Sequence, residues 1–230
     1  LIYAYYINNL TMKQESLAGF VDALQSRGRY TFTRDEVGQN LKVTNVALTF
    51  ALNRLSRRGR IVAVRRGFYV IVPLEYASGK ILPADWFIAN LMKFLEQPYY
   101  VGLLSAAALH GAAHQQPQVF HVVTTKAQRR IEAHGLVIRF FTKAGMERIP
   151  IKEVKTSTGY IRVSTPGATA IDLVAYQSRV GGWDRIATIL QELVEVMDEG
   201  GLLEAAKLEK ELQVVQRLGW VLCKLGHDAL

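Results

Sequence analysis

Between Lys42 and Arg66 the chain sets Asn, Thr and Arg at helical spacing, then places two arginines beside a glycine. These side chains suit a polyanion with readable edges. Asparagine pairs with adenine, threonine offers a methyl to thymine, and arginine reaches guanine or phosphate. With Thr44 as N-cap, Leu48, Ala51, Leu52 and Leu55 fall at i, i+3, i+4 and i+7 and form one apolar stripe. Thr49, Asn53 and Arg57 point away from that stripe, with Asn45 at its edge. The candidate contact set is Lys42, Thr44, Asn45, Thr49, Asn53, Arg54, Arg57, Arg58, Arg60, Arg65 and Arg66, and the partner it fits is double-stranded DNA.

Short elements must hold these residues in place. Thr33 with Glu36 makes a capping box that starts a helix through Val37, and a turn is expected over Gly38 to Leu41. Gly59 stops the second helix as a C′ glycine. The β-rich runs Ile61–Val64 and Phe68–Val72 are joined by Arg65-Arg66-Gly67, where glycine supplies the positive φ of a tight hairpin. Helix, turn, basic helix and hairpin are the outline of a winged helix-turn-helix, with a wing tip suited to phosphates. Charge agrees. Residues 1–72 carry 11 Lys/Arg against 4 Asp/Glu, residues 73–180 carry 12 against 7, and residues 181–230 carry 5 against 9, within a net +8. The alternative is that the same unit binds a protein.

Three patterns raise catalysis and each falls short. His110 and His114 lie at i, i+4 with His121 beyond, a spacing that can hold a metal. Gly111 and Pro117 end that helix, however, and no acid lies between Glu96 and Glu132, so no metal site is expected. Glu153-Val154-Lys155 matches part of a metal-dependent nuclease site. No aspartate stands between Asp85 and Asp172 to complete it, and the pair reads as surface residues of a half-exposed strand. There is no phosphate-binding glycine loop. Cys223, near Leu222 and Leu225, reads as packing. The chain is therefore expected to be non-catalytic and to need no cofactor. Lys126, Arg129 and Arg130, with Arg139, Lys143 and Arg148 nearby, form either a solvated loop or a second polyanion contact, to DNA or RNA.

The 230 residues allow two ordinary domains. One cysteine permits no internal disulfide and suits a reducing cytoplasm. No apolar run reaches the roughly 20 residues of a membrane span, and the Tyr-rich start lacks the basic region of a signal peptide. Opening on Leu1 suggests a trimmed start. The expected division is a winged helix-turn-helix over 1–76, whose first helix spans Met12–Arg27 and whose Tyr30–Phe32 strand pairs with the wing. A linker over Pro73–Lys80 leads to a second domain over 83–230. That domain reads as helices over Pro83–Leu95 and Leu103–His110, then strands at Val119–Thr124, Leu136–Phe141, Ile149–Val154 and Tyr160–Val163. Helices follow from Thr165-Pro166 to about Gln177, over Trp183–Val196 and over Leu202–Leu225, with Glu192, Glu195, Glu204, Glu209 and Glu211 on acidic outer faces. The fold class is α+β, with a small antiparallel sheet and flanking helices in the second domain.

Four segments in order resemble the AbiEi family of antitoxins and autoregulators from type IV toxin–antitoxin systems. They are Leu55-Ser56-Arg57-Arg58-Gly59-Arg60-Ile61-Val62 running into Arg66-Gly67-Phe68-Tyr69; Leu104-Ser105-Ala106-Ala107-Ala108-Leu109-His110-Gly111; Ser164-Thr165-Pro166-Gly167-Ala168-Thr169-Ala170-Ile171-Asp172-Leu173; and Gln216-Arg217-Leu218-Gly219-Trp220-Val221-Leu222. The likeness spans about Arg34 to Gly226. It implies an N-terminal winged helix that binds operator DNA and represses its own operon, with Thr44–Arg60 as recognition helix and Arg65–Phe68 as wing tip. It also implies a C-terminal antitoxin domain acting against a nucleotidyltransferase toxin, without requiring direct contact, and it carries over no catalytic residue. Family members often continue past Leu230, so a trimmed end is expected there. Two alternatives stay open: an enzyme of the nuclease type using Glu153 and Lys155, and a regulator whose second domain binds a small effector.

Overall fold

The computed structural model describes residues 16–76, 83–112, 118–133 and 135–227, arranged as two compact units. The first holds the described residues up to Phe94 together with Ile131–Leu136 and Ser157–Gly159. The second holds Leu95–Arg130, Val137–Thr156 and the described residues from Tyr160 onward. Within the Met12–Arg27 helix expectation, residues 12–15 lie outside the described residues, as do 77–80 of the linker and both His114 and Pro117.

The first unit runs α1 (Leu17–Gln25), β1 (Thr31–Thr33), α2 (Arg34–Asn40), α3 (Asn45–Arg57), β2 (Ile61–Arg65) and β3 (Phe68–Ile71). The Ser16 hydroxyl caps α1. Thr33 and Glu36 form the expected capping box of α2, and Thr44 caps α3 through the Ala47 amide. Helix α2 extends through Gly38–Asn40, which sequence assigned to a turn. The Asn40 amide donates to the Glu36 carbonyl (2.7 Å) and Leu41 N–H to the Val37 carbonyl (2.8 Å), so local hydrogen bonds outweigh low propensity. The strands form one antiparallel sheet in the order β1-β3-β2. Gly67, at φ +85°, makes the tight turn between β2 and β3. Leu48, Leu52 and Leu55 of α3 pack with Phe20, Val21, Phe32, Val37, Ile61 and Ile71. Each such buried side chain contributes roughly 1.5–3 kcal/mol. A 3₁₀ turn (Ala84–Trp86) and α4 (Ile88–Phe94) complete the unit. They replace the single helix expected over Pro83–Leu95, because Phe87 at φ −133° interrupts it.

The second sheet runs β6-β7-β5-β4-β9-β8, with β4 Tyr99–Val101, β5 Val119–Thr124, β6 Ile131–Ala133, β7 Leu136–Thr142, β8 Ile151–Thr156 and β9 Gly159–Ser164. The expected all-antiparallel sheet is corrected to a mixed one: β4 pairs with β5 antiparallel, but β4–β9 and β5–β7 are parallel. Parallel neighbours need a crossover, and the chain supplies one between each of these pairs, through 125–135 and through 102–158. Strands β4 and β6, three residues each, were too short to show a period.

Around this sheet come α5 (Leu103–Leu109), α6 (Pro166–Ala175), α7 (Gly182–Val194), α8 (Glu199–Leu208) and α9 (Leu212–Lys224). The single helix expected over Leu202–Leu225 is therefore two, broken where Glu209 turns extended at φ −72°, ψ 133°. One core gathers Leu103, Val123, Phe141, Ile171, Leu190, Leu193 and Leu218.

Two glycines in these helices should respond oppositely to alanine. A Cβ on Gly167 would stand 2.8 Å from the Leu202 Cα, whereas one on Gly219 meets nothing within 4 Å. Replacing a helical glycine by alanine gains up to about 1 kcal/mol, but overpacking against a backbone costs roughly 1–3 kcal/mol. Gly167→Ala should lower the denaturant midpoint and Gly219→Ala should raise it.

Candidate nucleic-acid interface

Helix α3 presents two distinct faces. Leu48 and Leu52 are 2% exposed and Leu55 is 6% exposed. On the outer side Thr49, Asn53, Arg54, Arg57 and Arg58 are exposed, as are Lys42, Thr44 and Asn45 at its start and Arg66 at the hairpin tip. Arg65 is half-buried. Arg60 stands apart from the predicted set: its Nη2 binds the Asp22 carboxylate at 2.6 Å, tying the end of α3 to α1. Thr49 is also engaged. Its hydroxyl donates to the Asn45 carbonyl (2.8 Å) and accepts from Arg34 Nη2 (2.9 Å), so its single donor is already used within the protein. Arg34 N–H in turn donates to the Gly67 carbonyl (2.8 Å), which holds the hairpin tip against the start of α2. Exposed cations thus gather on α3 and the adjoining tip, an arrangement that attracts phosphates and releases their counterions.

The sequence reading missed Val46 and Phe50, which are 65% and 70% exposed on the outer face, with Val43 at 43% in the preceding turn. A helical projection through Leu48, Leu52 and Leu55 would have found them, because they fall opposite that stripe.

The second unit is organised around a buried ionic cluster. Lys143, expected in a basic surface patch, is buried instead. Its Nζ donates to Asp172 Oδ1 (2.6 Å) and Glu209 Oε2 (2.7 Å), and Tyr100 Oη donates to Asp172 Oδ2 (2.9 Å). Asp172 is fully buried, and the Glu209 side chain is 6% exposed rather than on an outer face. Glu209 Oε1 accepts from the Lys210 and Glu211 amides. Burial alone would lower the Lys143 ammonium, but the two carboxylates outweigh it and hold it above the usual lysine range. Burial pushes the Asp172 carboxyl up, and Lys143 and Tyr100 oppose that. The signal available in the sequence was a lone Asp172 inside the apolar run Ala168–Val174, since such an acid is rarely buried without a partner.

The other candidates separate. His110 caps α5 and its Nε2 lies 2.7 Å from the Ser164 carbonyl, which makes that nitrogen the donor. Burial lowers its pKa. His121 sits inside β5, edge-on to Phe141; burial, then Arg139 and Arg185, bring it down to about 4. No group of three metal-ligating side chains occurs among the described residues. Glu153 and Lys155 are exposed on β8 with half-buried Val154 between them, as expected of a surface strand. Lys126, Arg129 and Arg130 are exposed. Arg139 differs from the patch reading: it donates to the Arg179 carbonyl (2.9 Å) and lies over the Phe141 ring. Cys223, read as packing, is exposed, because the α9 stripe that turns inward is Val214, Leu218, Val221 and Leu222. No described helix is long and apolar enough to cross a membrane.

Comparison with known proteins places this architecture. The AbiEi antitoxin C-terminal domain matches residues 100–223, and the family described as "Transcriptional regulator, AbiEi antitoxin" matches residues 20–72. The chain belongs to the AbiEi antitoxin family. Its fold is similar to the crystal structure of the RV2827C protein from Mycobacterium tuberculosis at a TM-score of 0.62 and 16% identity, covering 91% of this chain and 77% of that one. An antigenic nucleotidyltransferase-like protein from Paracoccidioides brasiliensis matches at a TM-score of 0.44 and 9% identity, over 61% of this chain and 86% of that one. No curated protein matches.

Two outcomes follow for the second unit. Lys143→Ala strands a fully buried carboxylate and should cost about 3–5 kcal/mol, read by denaturant unfolding. His121, neutral when folded, has its pKa below the unfolded value of 6.5. Its pH-dependent penalty is therefore absent above pH 6.5, and stability is lost as pH falls from 6.5 towards 4, by roughly 3 kcal/mol. His121→Leu should flatten that part of the stability–pH profile.

Proposed function

We propose that residues 1–76 are a winged helix-turn-helix that binds operator DNA and represses the operon encoding this chain. Residues 83–230 carry the antitoxin activity, directed against a nucleotidyltransferase toxin. The observation that carries the DNA assignment is the division of α3 between a leucine face in the core and an outer face bearing Asn53, Arg54, Arg57 and Arg58, with Arg66 on the neighbouring tip. In this reading α3 enters the major groove, Asn53 reads a base edge, and Arg57, Arg58 and Arg66 neutralise phosphates. Lys42, Thr44, Asn45, Arg54 and Arg65 complete the contact set. Arg60 acts indirectly, by fixing the end of α3 against Asp22.

The family's description as a transcriptional regulator supports the same reading. The antitoxin role rests on the family alone, and the antidote works without requiring a tight complex. No catalytic step is assigned to the chain, and the protein acts in the cytoplasm. Lys126, Arg129 and Arg130 provide a second polyanion contact.

Titrating the full chain with its own upstream DNA and with a scrambled duplex, across a salt series, tests the reading. A site bound about 10³-fold more tightly than the scrambled duplex is expected. Arg57→Ala should weaken binding evenly across sequences and lower the salt slope by about one. Asn53→Ala should cost roughly 1–3 kcal/mol and relax one base pair. Equal binding to both duplexes by the parent chain would defeat the repressor assignment.

A further inference from the structure

We infer that Val46 and Phe50 set the sequence specificity of α3, by contacting thymine C5-methyl groups in the major groove. This rests on the operator-binding reading above and names what that surface recognises.

The placement comes from the helix itself. At about 100° per residue, Val46, Phe50, Asn53 and Arg57 share one narrow stripe centred opposite Leu48, Leu52 and Leu55. Thr49 and Asn45 lie to one side of it, where Arg34 donates to the Thr49 hydroxyl and the Asn45 carbonyl. The centre of the outward face is therefore occupied, over its first turns, by two large apolar side chains. They are 65% and 70% exposed, and Val43 extends the patch in the preceding turn.

Charge identifies the occupant. From Val43 to Asn53 the chain carries no ionisable side chain, while Lys42 precedes this window and Arg54, Arg57 and Arg58 follow it, all exposed. An apolar centre flanked by cations matches a groove with phosphates on both walls. On the base-pair edges in that groove the thymine methyl is the apolar group available. A second copy docked on the same face would bring these cations against their equivalents, which disfavours self-association through it. The Thr49 hydroxyl already donates to Asn45 and accepts from Arg34, so along the outward stripe the first half of α3 offers apolar contact through Val46 and Phe50 and the second half offers Asn53 and arginine.

The test uses the full chain and its footprinted upstream site. Each thymine in the site is replaced in turn by deoxyuridine, which removes only the methyl. At one to three positions the parent should lose about fourfold in affinity, the worth of one buried methyl group. Phe50→Ala should bind the intact site about tenfold more weakly or worse, with an unchanged salt slope, and be indifferent to deoxyuridine where the parent was sensitive. Phe50→Leu should keep most of the affinity. Both substitutions lie on an exposed face, so circular dichroism and the denaturant midpoint should match the parent.

If the parent keeps its site preference yet ignores every deoxyuridine, the methyl contact is wrong while the operator reading survives. If Phe50→Ala leaves operator affinity intact and instead lowers the solution mass by light scattering, the patch is a contact between copies and the inference falls. A parent with no preference for its own site would remove the operator reading itself, and this inference with it.

Discussion

The second unit depends on one buried ionic contact. Lys143, at the end of β7, is held between Asp172 of α6 and Glu209 at the break between α8 and α9. Three elements distant in sequence thus share one ammonium. Tyr100, next to β5 in the sheet, adds a hydrogen bond to the same aspartate. Removing these charges from water is costly, and only their mutual pairing with full hydrogen bonding offsets that cost. The cluster ties α6 and the break between α8 and α9 to the end of β7 through fully paired charges. It also accounts for the break after Leu208: a continuous helix would leave Glu209 on a regular helical surface, whereas extended backbone lets Oε1 take the Lys210 and Glu211 amides while Oε2 reaches Lys143.

The glycines and small residues nearby serve the same convergence. A side chain on Gly102 would press into Val123 and Tyr100, with the Asp172 carboxylate just beyond. Gly167 lets α6 approach the α8 backbone. Ser105 accepts the His121 amide, and the Ser164 and Thr169 hydroxyls pair beneath α6. Three of the four segments that resemble the AbiEi family supply residues of this interior, among them Leu104, Ile171 and Leu218, whereas the segment from Leu55 to Tyr69 belongs to the first unit.

The first unit follows a simpler rule. Local signals place α2 and α3: a capping box, a threonine cap and a C′ glycine, each satisfying backbone groups at a helix end. Tertiary contacts then decide which polar groups remain available. Arg60 and Thr49 have the same residue types as their outward neighbours, yet Asp22 and Arg34 occupy them. Val46 and Phe50, ordinary apolar residues in composition, end on the outside because the leucine stripe can bury only one face of a 13-residue helix.

The sequence by itself determined the helix-turn-helix and hairpin of the first unit, the strands β5, β7 and β9 to within a residue, and the family. These rest on periodicity, caps and turn residues, which act over a few positions and are legible one segment at a time. Only the tertiary structure decided that the second sheet is mixed, that β4 sits between β5 and β9, that Lys143 is interior, and that Glu209 ends a helix rather than decorating one. Each of these depends on partners tens of residues away, and no local pattern records which distant charge will neutralise a lysine or which strand will lie beside a three-residue neighbour.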